Sequence, residues 1–392
     1  MQLAQRVQQL PPYLFARISE LIAQKRAAGV DVISLGIGDP DLPTPPHILD
    51  ALKRAADVPA NHRYPESDGL PEFRRSIAAW YQRRHGVTLD PDREVVPLIG
   101  SKEGIGHLPL CLIDPGDIAL ITDPGYPVYE IGTMFAGGKA VKVPLREEDG
   151  WLPRLDEIPA ETARAAKMIW LNYPNNPTGA ICDRAFFERA VAWAKQYDVV
   201  IAHDLAYADV AYDGYVPSSI FEVEGARDVA IEFNSLSKAF NMTGWRVGMA
   251  VGNATLVNAL TRVKTNLDSG IPQAIQAMAM AALDGPLDSL EDHNRIYQAR
   301  RDRVIAVLRE LGLRVEPPKA SLYVWARLPE GERSSGEFAA RLIDATGVVV
   351  TPGASYGEAG EGYIRISLTT PDDRLDEAMR RLSAFAKGQQ VL

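Results

Sequence analysis

The fold follows from one stretch of the sequence, KMIWLNYPNNPTGAICDRAFFERAVAWAKQYDVVIAHD (residues 167–204). This stretch begins and ends with short apolar runs, 167–172 and 198–203, and residues 186–197 between them have helical periodicity. Two short strands that are apolar on both faces and joined by a helix indicate neighbouring strands of a buried parallel sheet. Proline and glycine residues follow the first strand, at the edge where open α/β sheets place their ligand crevice.

The same alternation of strand and helix continues on both sides of this stretch. The further apolar runs are EVVPLIG (94–100), DIALIT (117–122), VAIEFN (229–234) and VGMAVG (247–252). We therefore predict an α/β fold in which a large domain, residues 46–285, has a mainly parallel central sheet flanked by helices.

The pattern changes after about residue 255, where long helices predominate. Helical periodicity covers 274–283 and 287–311, and a last helix begins at Asp372. The short strands SLYVWARL (321–328) and YIRISL (363–368) lie between these helices. We predict a smaller α+β domain over residues 286–392. The first 45 residues, with a short helix and the strand VISLGIG (32–38), are predicted to pack with it.

Composition and charge exclude several classes of function. The 392 residues carry a formal net charge of −9 without a block of Lys or Arg that could follow a phosphate backbone, so we predict no nucleic-acid partner. No run of about 20 apolar residues occurs, which predicts a cytoplasmic protein with no membrane segment. Cys111 and Cys182 have no paired spacing, so we predict free thiols and no metal site.

The segment NSLSKAFNMTGWRVG (234–248) carries the strongest chemical signal. Its lysine, Lys238, is preceded by two hydroxyl residues, Ser235 and Ser237, and followed eight positions later by Arg246. An amine can attach covalently to an aldehyde, and hydroxyls with a guanidinium suit a phosphate group. Short motifs of this kind also occur in solvated loops, so the segment alone leaves that alternative open.

Two other segments of the chain favour a cofactor-binding segment over a solvated loop. With NYPNNPTG (172–179) and HDLAY (203–207), the segment resembles the fold-type I pyridoxal 5'-phosphate (PLP) aminotransferases of class I and II, and the resemblance runs over essentially the whole chain. The resemblance implies that PLP is the cofactor. It also implies that Lys238 is the catalytic residue, joined to the PLP aldehyde and later acting as the base.

The resemblance also assigns the cofactor-binding residues. It implies that Asp204 pairs with the pyridine nitrogen and that Tyr126 stacks on the ring. Bonds to the phenolic oxygen and to the phosphate are implied for a larger set: Asn176, Tyr207, Ser101, Lys102, Ser235, Ser237 and Arg246. Each position also has a plain structural explanation, such as a turn, a helix cap or a packed aromatic ring.

The remaining candidate residues are predicted to contact the substrate or the partner subunit. An arginine in an apolar strand is costly to bury without an anion, and Arg365 matches the family residue that binds the substrate α-carboxylate. Asn176, Gly38 and Tyr13 are implied to line the substrate site. Tyr64 is implied to reach the cofactor phosphate of the partner subunit, which predicts a homodimer with shared active sites. Ser269 is a weaker candidate for the same role.

The full-length pattern is most similar to bacterial LL-diaminopimelate aminotransferases. That resemblance implies a reaction of lysine biosynthesis in which LL-diaminopimelate and 2-oxoglutarate give tetrahydrodipicolinate and glutamate. Alanine, aspartate, aromatic and N-succinyl-diaminopimelate aminotransferases stay open as alternatives. The acidic residues Glu103 and Asp268 could bind the distal ammonium group of the substrate, but most acidic residues in such loops are solvated, so neither is assigned.

Two rivals lie outside amino transfer. A β-lyase or a cyclopropane-forming synthase could use the same cofactor residues, because a fold does not fix the reaction. A PLP-sensing transcription regulator would need a helix-turn-helix module and a basic face, and the sequence has neither signal.

Overall fold

The computed structural model of the chain describes residues 1–11 and 14–391. Its strands, in chain order, are β1 (Ile33–Ser34), β2 (Val95–Leu98), β3 (Ile118–Asp123), β4 (Lys139–Pro144), β5 (Ala166–Asn172), β6 (Val200–Asp204), β7 (Ala230–Ser235), β8 (Gly248–Gly252), β9 (Arg314–Val315), β10 (Tyr323–Arg327), β11 (Val348–Val349), β12 (Thr351–Pro352) and β13 (Tyr363–Ser367).

Helices cover both faces of the sheets and form much of the C-terminal part. They are α1 (Gln5–Gln8), α2 (Leu14–Ala27), α3 (Pro46–Ala56), α4 (Pro71–His85), α5 (Ser101–Leu112), α6 (Val128–Phe135), α7 (Ala160–Ala165), α8 (Arg184–Tyr197), α9 (Ala226–Val229), α10 (Leu236–Ala239), α11 (Ala254–Thr265), α12 (Gln273–Asp284), α13 (Asp288–Glu310), α14 (Ser335–Thr346) and α15 (Asp372–Ala386). Among the described residues, none of these helices has both the length and the apolar character that crossing a bilayer requires.

The central sheet has seven strands in the order β2-β8-β7-β6-β5-β3-β4. Only β8 runs against the others, since it pairs antiparallel with both β2 and β7. Strands β5 and β6 are parallel neighbours joined through α8, as the sequence of residues 167–204 predicts. The prediction of an α/β fold with a mainly parallel sheet is therefore confirmed.

Local signals explain how α8 begins and ends. Asp183 caps its first turn by accepting a hydrogen bond from the backbone N–H of Phe186 at 2.8 Å. At its end Asp198 takes a left-handed conformation, with φ of 57°, and so turns the chain into β6. Phe186, Phe187 and Val191 face the sheet and are buried in the core on that side.

A second sheet lies in the C-terminal part. Its four strands run antiparallel in the order β12-β13-β10-β9. The N-terminal segment is joined to this region because β1 pairs with β11 and the backbone N–H of Ser367 donates to the carbonyl of Leu35 at 2.7 Å. The predicted domain boundaries, after residues 45 and 285, stay a prediction.

Two strands differ from the sequence-based expectation: one is shorter than predicted and the other was not predicted. The run VISLGIG (32–38) forms only the two-residue strand β1, and its last residues continue as a loop beside the cavity described below. Strand β4 was not predicted, because it lies at the sheet edge and carries Lys139 and Lys142 among its apolar residues. Both differences follow from position, since edge and loop segments need no continuous apolar run.

Candidate active site

A cavity of about 530 Å³ lies at the carboxyl end of the central sheet. Strands β2, β3, β5, β6 and β7 run in the same direction, so the segments that follow them meet at this edge. The predicted residues that line the cavity are Gly38, Ser101, Lys102, Tyr126, Asn176, Asp204, Tyr207, Ser235, Ser237, Lys238 and Arg246.

Lys238 enters the cavity from the short helix α10, directly after β7. Ser235 begins this helix by accepting a hydrogen bond from the backbone N–H of Ser237 at 3.2 Å. The Lys238 ammonium donates to the carbonyl of Gly38 at 2.9 Å. Burial lowers the pKa of Lys238, because the charged form loses water contacts that the neutral amine does not need. The amine is therefore more readily available as a base than an exposed lysine.

Asp204 is the buried carboxylate of the cavity. It ends β6, and its Oδ2 accepts a hydrogen bond from the Tyr129 hydroxyl at 2.8 Å, while Oδ1 accepts from the backbone N–H of Ala206 at 3.2 Å. Trp170 stacks on the Tyr129 ring with 4.7 Å between centroids and fixes its direction. Burial raises the pKa of Asp204, and the Tyr129 hydrogen bond opposes that rise.

Arg365 lies directly behind the cavity wall and is completely buried. Its Nη1 donates to Asn176 Oδ1 at 2.9 Å and its Nη2 to the carbonyl of Gly36 at 2.7 Å. The guanidinium also lies 3.9 Å from the ring centroid of Tyr323 and 4.9 Å from that of Tyr356. These contacts hold the planar cation in a fixed orientation beside Asn176.

Tyr323 forms the wall between Lys238 and Arg365. Its hydroxyl lies 3.1 Å from the hydroxyl of Tyr207. Burial would raise the pKa of Tyr323, but the charges of Arg365 and Lys238 lower it below the ordinary value. A Cβ atom on Gly38 would stand 2.1 Å from the Tyr323 hydroxyl, so glycine is required here for close approach.

The opposite end of the cavity has the character of an anion site. Helix α5 begins at Ser101, so its free backbone N–H groups face the cavity. Gly100 has φ of +74°, and a Cβ there would lie 2.3 Å from the Arg246 guanidinium. A Cβ on Gly248 would lie 2.4 Å from the backbone nitrogen of Ser101. Two glycines therefore allow β8, α5 and Arg246 to converge.

Other predicted residues lie outside the cavity. Tyr64 is on the surface with 88% of its side chain exposed, and Ser269 is also exposed. Tyr13 is not among the described residues. Glu103 and Asp268, considered for the distal ammonium of a substrate, both bind the buried ammonium of Lys264, at 3.0 and 2.7 Å. Both carboxylates thus share one cation within the protein, and neither lines the cavity.

Three residues of the site were not identified from the sequence. Tyr129 binds Asp204, Tyr323 lies under Arg365, and Asn172 donates to the backbone carbonyl of Asp204 at 2.7 Å. Asn172 had a usable signal, because it ends a predicted strand directly before the Pro-rich loop. Tyr129 and Tyr323 stand in apolar runs, where an aromatic residue predicts only packing.

Comparison with known proteins identifies the family. Residues 30–382 match the model for aminotransferase class I and II. The chain is 55% identical to an LL-diaminopimelate aminotransferase of Dehalococcoides mccartyi, over 98% of this chain and 99% of the relative. It is 57% identical to the enzyme of that name from Desulforudis audaxviator, over 97% of this chain and 96% of the relative.

A solved structure agrees with these matches along the whole chain. Substrate-bound BacF from Bacillus subtilis superposes with a TM-score of 0.94 at 38% identity and covers 98% of both chains. The family match and the relatives together cover the central sheet, the C-terminal sheet and the cavity between them. The chain belongs to the class I and II aminotransferases, and it is a fold-type I enzyme whose cofactor is pyridoxal 5'-phosphate.

Proposed function

We propose that this chain is an LL-diaminopimelate aminotransferase. It would transfer an amino group from LL-diaminopimelate to 2-oxoglutarate in a reversible reaction that yields glutamate, tetrahydrodipicolinate and the water released when the amino-oxo acid cyclises. The observation that carries the proposal is the shared name of relatives that are 51–57% identical over nearly the whole chain.

The shape and chemistry of the cavity fit PLP. A partly buried amine, Lys238, and a buried carboxylate, Asp204, line the same cavity, which suits an aldehyde and a pyridine nitrogen on one small ring. We assign the phosphate to the opposite end, where the start of α5 offers backbone N–H groups and Arg246 a positive charge. Ser101, Lys102, Ser235 and Ser237 line the cavity and would add donors.

The ring itself would be held by three further residues. We assign Tyr126, which lines the cavity, as the aromatic residue that stacks on it. Asn176 and Tyr207 would donate to its phenolic oxygen. Both are buried and both line the cavity, so water would compete little with these bonds.

In the reaction, bound PLP supplies an aldehyde that takes up the amino group and a ring that accepts electrons. Lys238 would remove the proton from the substrate α-carbon with Nζ and return it to the cofactor side, and its lowered pKa favours the neutral amine that this exchange needs. Asp204 would keep the ring nitrogen protonated by opposite charge. Arg365 would bind the substrate α-carboxylate by two parallel hydrogen bonds, with Gly38 allowing close approach.

We also propose that the enzyme is a homodimer with shared active sites, as the resemblance of Tyr64 implies. Two observations support this proposal. Tyr64 projects from the surface, where it is free to reach a second chain. The loops that carry Tyr64 and Ser269 contact each other, because Ser67 Oγ donates to the Asp268 carbonyl at 3.4 Å. The two residues therefore belong to one continuous surface region.

A spectrophotometric half-reaction tests the proposed substrate. The purified PLP enzyme is titrated with LL-diaminopimelate, and in parallel with glutamate, alanine, aspartate, phenylalanine and N-succinyl-diaminopimelate. We expect LL-diaminopimelate and glutamate to remove the visible absorbance of the cofactor and 2-oxoglutarate to restore it. If LL-diaminopimelate leaves the spectrum unchanged while another amino donor converts it, the proposed substrate is wrong.

A further inference from the structure

A second pair of ionisable groups is buried on the opposite face of the sheet from Asp204. His203 on β6 and Glu232 on β7 are register partners on adjacent parallel strands, and neither is exposed to any extent. His203 Nδ1 lies 2.8 Å from Glu232 Oε2. Because successive strand residues point to opposite faces, this pair lies directly behind the cavity wall that Asp204 forms.

Each ring nitrogen of His203 has one hydrogen-bond partner. His203 Nε2 lies 3.2 Å from the carbonyl oxygen of Tyr173, which only accepts. Glu232 accepts from the hydroxyl of Ser219 at 2.8 Å and from the backbone N–H of Ile220 at 3.0 Å. Because a carbonyl oxygen only accepts, His203 donates to it from Nε2, and Nδ1 faces the Glu232 carboxylate. Both ring nitrogens of His203 therefore have a buried partner, Tyr173 on one side and Glu232 on the other.

The carbonyl that His203 binds belongs to the loop of Asn176. Tyr173 begins the loop 173–179, which leaves β5 and turns into the cavity. On the cavity side the same loop is bound by Asn172, whose Oδ1 accepts from the backbone N–H of Asn176 at 2.7 Å. His203 therefore binds the start of the loop on one face of the sheet and Asn172 binds its middle on the other.

We propose that His203, oriented by Glu232, is a positioning residue that fixes the loop 173–179 from behind the sheet and so sets the place of Asn176 in the active site. This inference rests on the proposed role of Asn176 as a ligand of the cofactor. An Asn176 side chain displaced by a fraction of an ångström would lose its hydrogen bond to Arg365 as well as its alignment with PLP. The pair would thus influence both cofactor affinity and binding of the amino donor.

Two amide substitutions separate the bond to Tyr173 from the bond to Glu232. In asparagine the amide nitrogen is attached to Cγ, as Nδ1 is in histidine, so His203→Asn keeps a donor toward Glu232 and loses the one toward Tyr173. In glutamine the nitrogen is one bond further out, close to the position of Nε2, so His203→Gln keeps the donor toward Tyr173. Both variants replace the ring by a neutral amide and leave the buried Glu232 carboxylate in place, so the comparison isolates the two bonds.

The readouts are the Kd of the apoenzyme for PLP, measured by quenching of tryptophan fluorescence, and KM for the amino donor. We expect His203→Asn to raise both by about tenfold relative to His203→Gln, the effect of one lost hydrogen bond to a buried loop. Phe187→Leu is the control for stability, because Phe187 packs on the His203 ring at 4.9 Å without a hydrogen bond. It should lower Tm and leave both constants unchanged.

Glu232→Gln provides a second background if the single variants do not fold, since it removes the unpaired buried carboxylate. The Asn and Gln variants at position 203 are compared again in that background. The inference is wrong if the Asn and Gln variants at position 203 have equal PLP affinity and equal KM. It is also wrong if these variants fold in neither background, because His203 would then serve stability alone. If the parent enzyme binds PLP but does not convert LL-diaminopimelate, the proposed substrate fails while the comparison of PLP affinities still decides this inference.

Discussion

Asp204 is buried, yet its carboxylate is the group that must carry a negative charge in the proposed mechanism. Burial raises its pKa, and the structure offsets this with two donors, the Tyr129 hydroxyl and the Ala206 backbone N–H. Asp204 acts only when ionised, so activity should rise with pH through its pKa. Any change that removes a donor raises this pKa further and moves the acid limb of the pH profile toward higher pH.

Tyr129→Phe tests this electrostatic balance. Phenylalanine keeps the stacking on Trp170 and loses only the hydroxyl, so we expect kcat/KM at neutral pH to fall by about threefold to tenfold and the acid limb to move to higher pH. Tyr212→Phe is the matched control, because the Tyr212 hydroxyl is also buried but donates to the carbonyl of Ser321, at 2.7 Å. An unchanged pH profile in Tyr129→Phe would contradict the assigned role of this hydrogen bond.

Which site residues the sequence could reveal depended on their chemistry. Lys238 and Asp204 were predicted because their segments together resemble the aminotransferases of class I and II, whereas a lysine after two serines or an acid after a strand has an ordinary structural explanation by itself. Arg365 was identified because an arginine is costly inside an apolar strand. Tyr323 gave no such signal, since its role comes from lying diagonally across from Arg365 on the neighbouring strand, and cross-strand register is not written in either strand alone.

At the level of elements, the anion end of the cavity depends on how closely β8, α5 and Arg246 approach. Gly100→Ala tests this convergence. The alanine would add about 1–3 kcal/mol of backbone strain, because Gly100 has φ of 74° and ψ of 149°, and it would also displace the Arg246 guanidinium. We therefore expect a lower free energy of unfolding in urea and a Kd for PLP that rises by about tenfold or more.

Gly116→Ala is the control for backbone strain. Gly116 also has positive φ, +95°, but nothing lies within 4 Å of an added Cβ. It should lose a similar amount of stability and bind PLP as the parent does. If both variants bind PLP equally well, the close contact of Gly100 with Arg246 does not matter for the cofactor.

The strands that the sequence revealed are those with two buried faces. β3, β5, β6 and β7 are apolar runs and were predicted close to their observed bounds. Strand β4 was missed because it is an edge strand that is largely exposed, whereas the other edge strand, β2, is buried throughout and was predicted. Strand β1 was predicted too long, since residues 35–38 are apolar for a different reason: they line the region around Arg365 and Tyr323 as a loop.

At the scale of the whole molecule, shared active sites predict that each site needs Lys238 from one chain and Tyr64 from the other. Tyr64→Phe and Lys238→Ala should each lose nearly all activity as homodimers. In a mixed dimer, one site combines the intact Lys238 of the first chain with the intact Tyr64 of the second. Unfolding and refolding an equal mixture should therefore restore about one quarter of the parent activity per chain.

Two controls complete this complementation experiment. Each variant refolded alone should stay inactive, and sedimentation should give the mass of a dimer for both. Mixing that restores no activity, although mixed dimers form, would contradict the assignment of Tyr64 to the partner's site. A parent enzyme that sediments as an active monomer would exclude shared sites altogether.

Lys238 is the residue that we propose is joined to PLP. Reduction of the holoenzyme with sodium borohydride makes that bond permanent, and proteolysis followed by mass spectrometry then locates it. We predict that the phosphopyridoxyl group is found on the peptide containing Lys238, and that Lys238→Ala yields no labelled peptide. A label on another lysine, or none on the parent enzyme, would contradict the account.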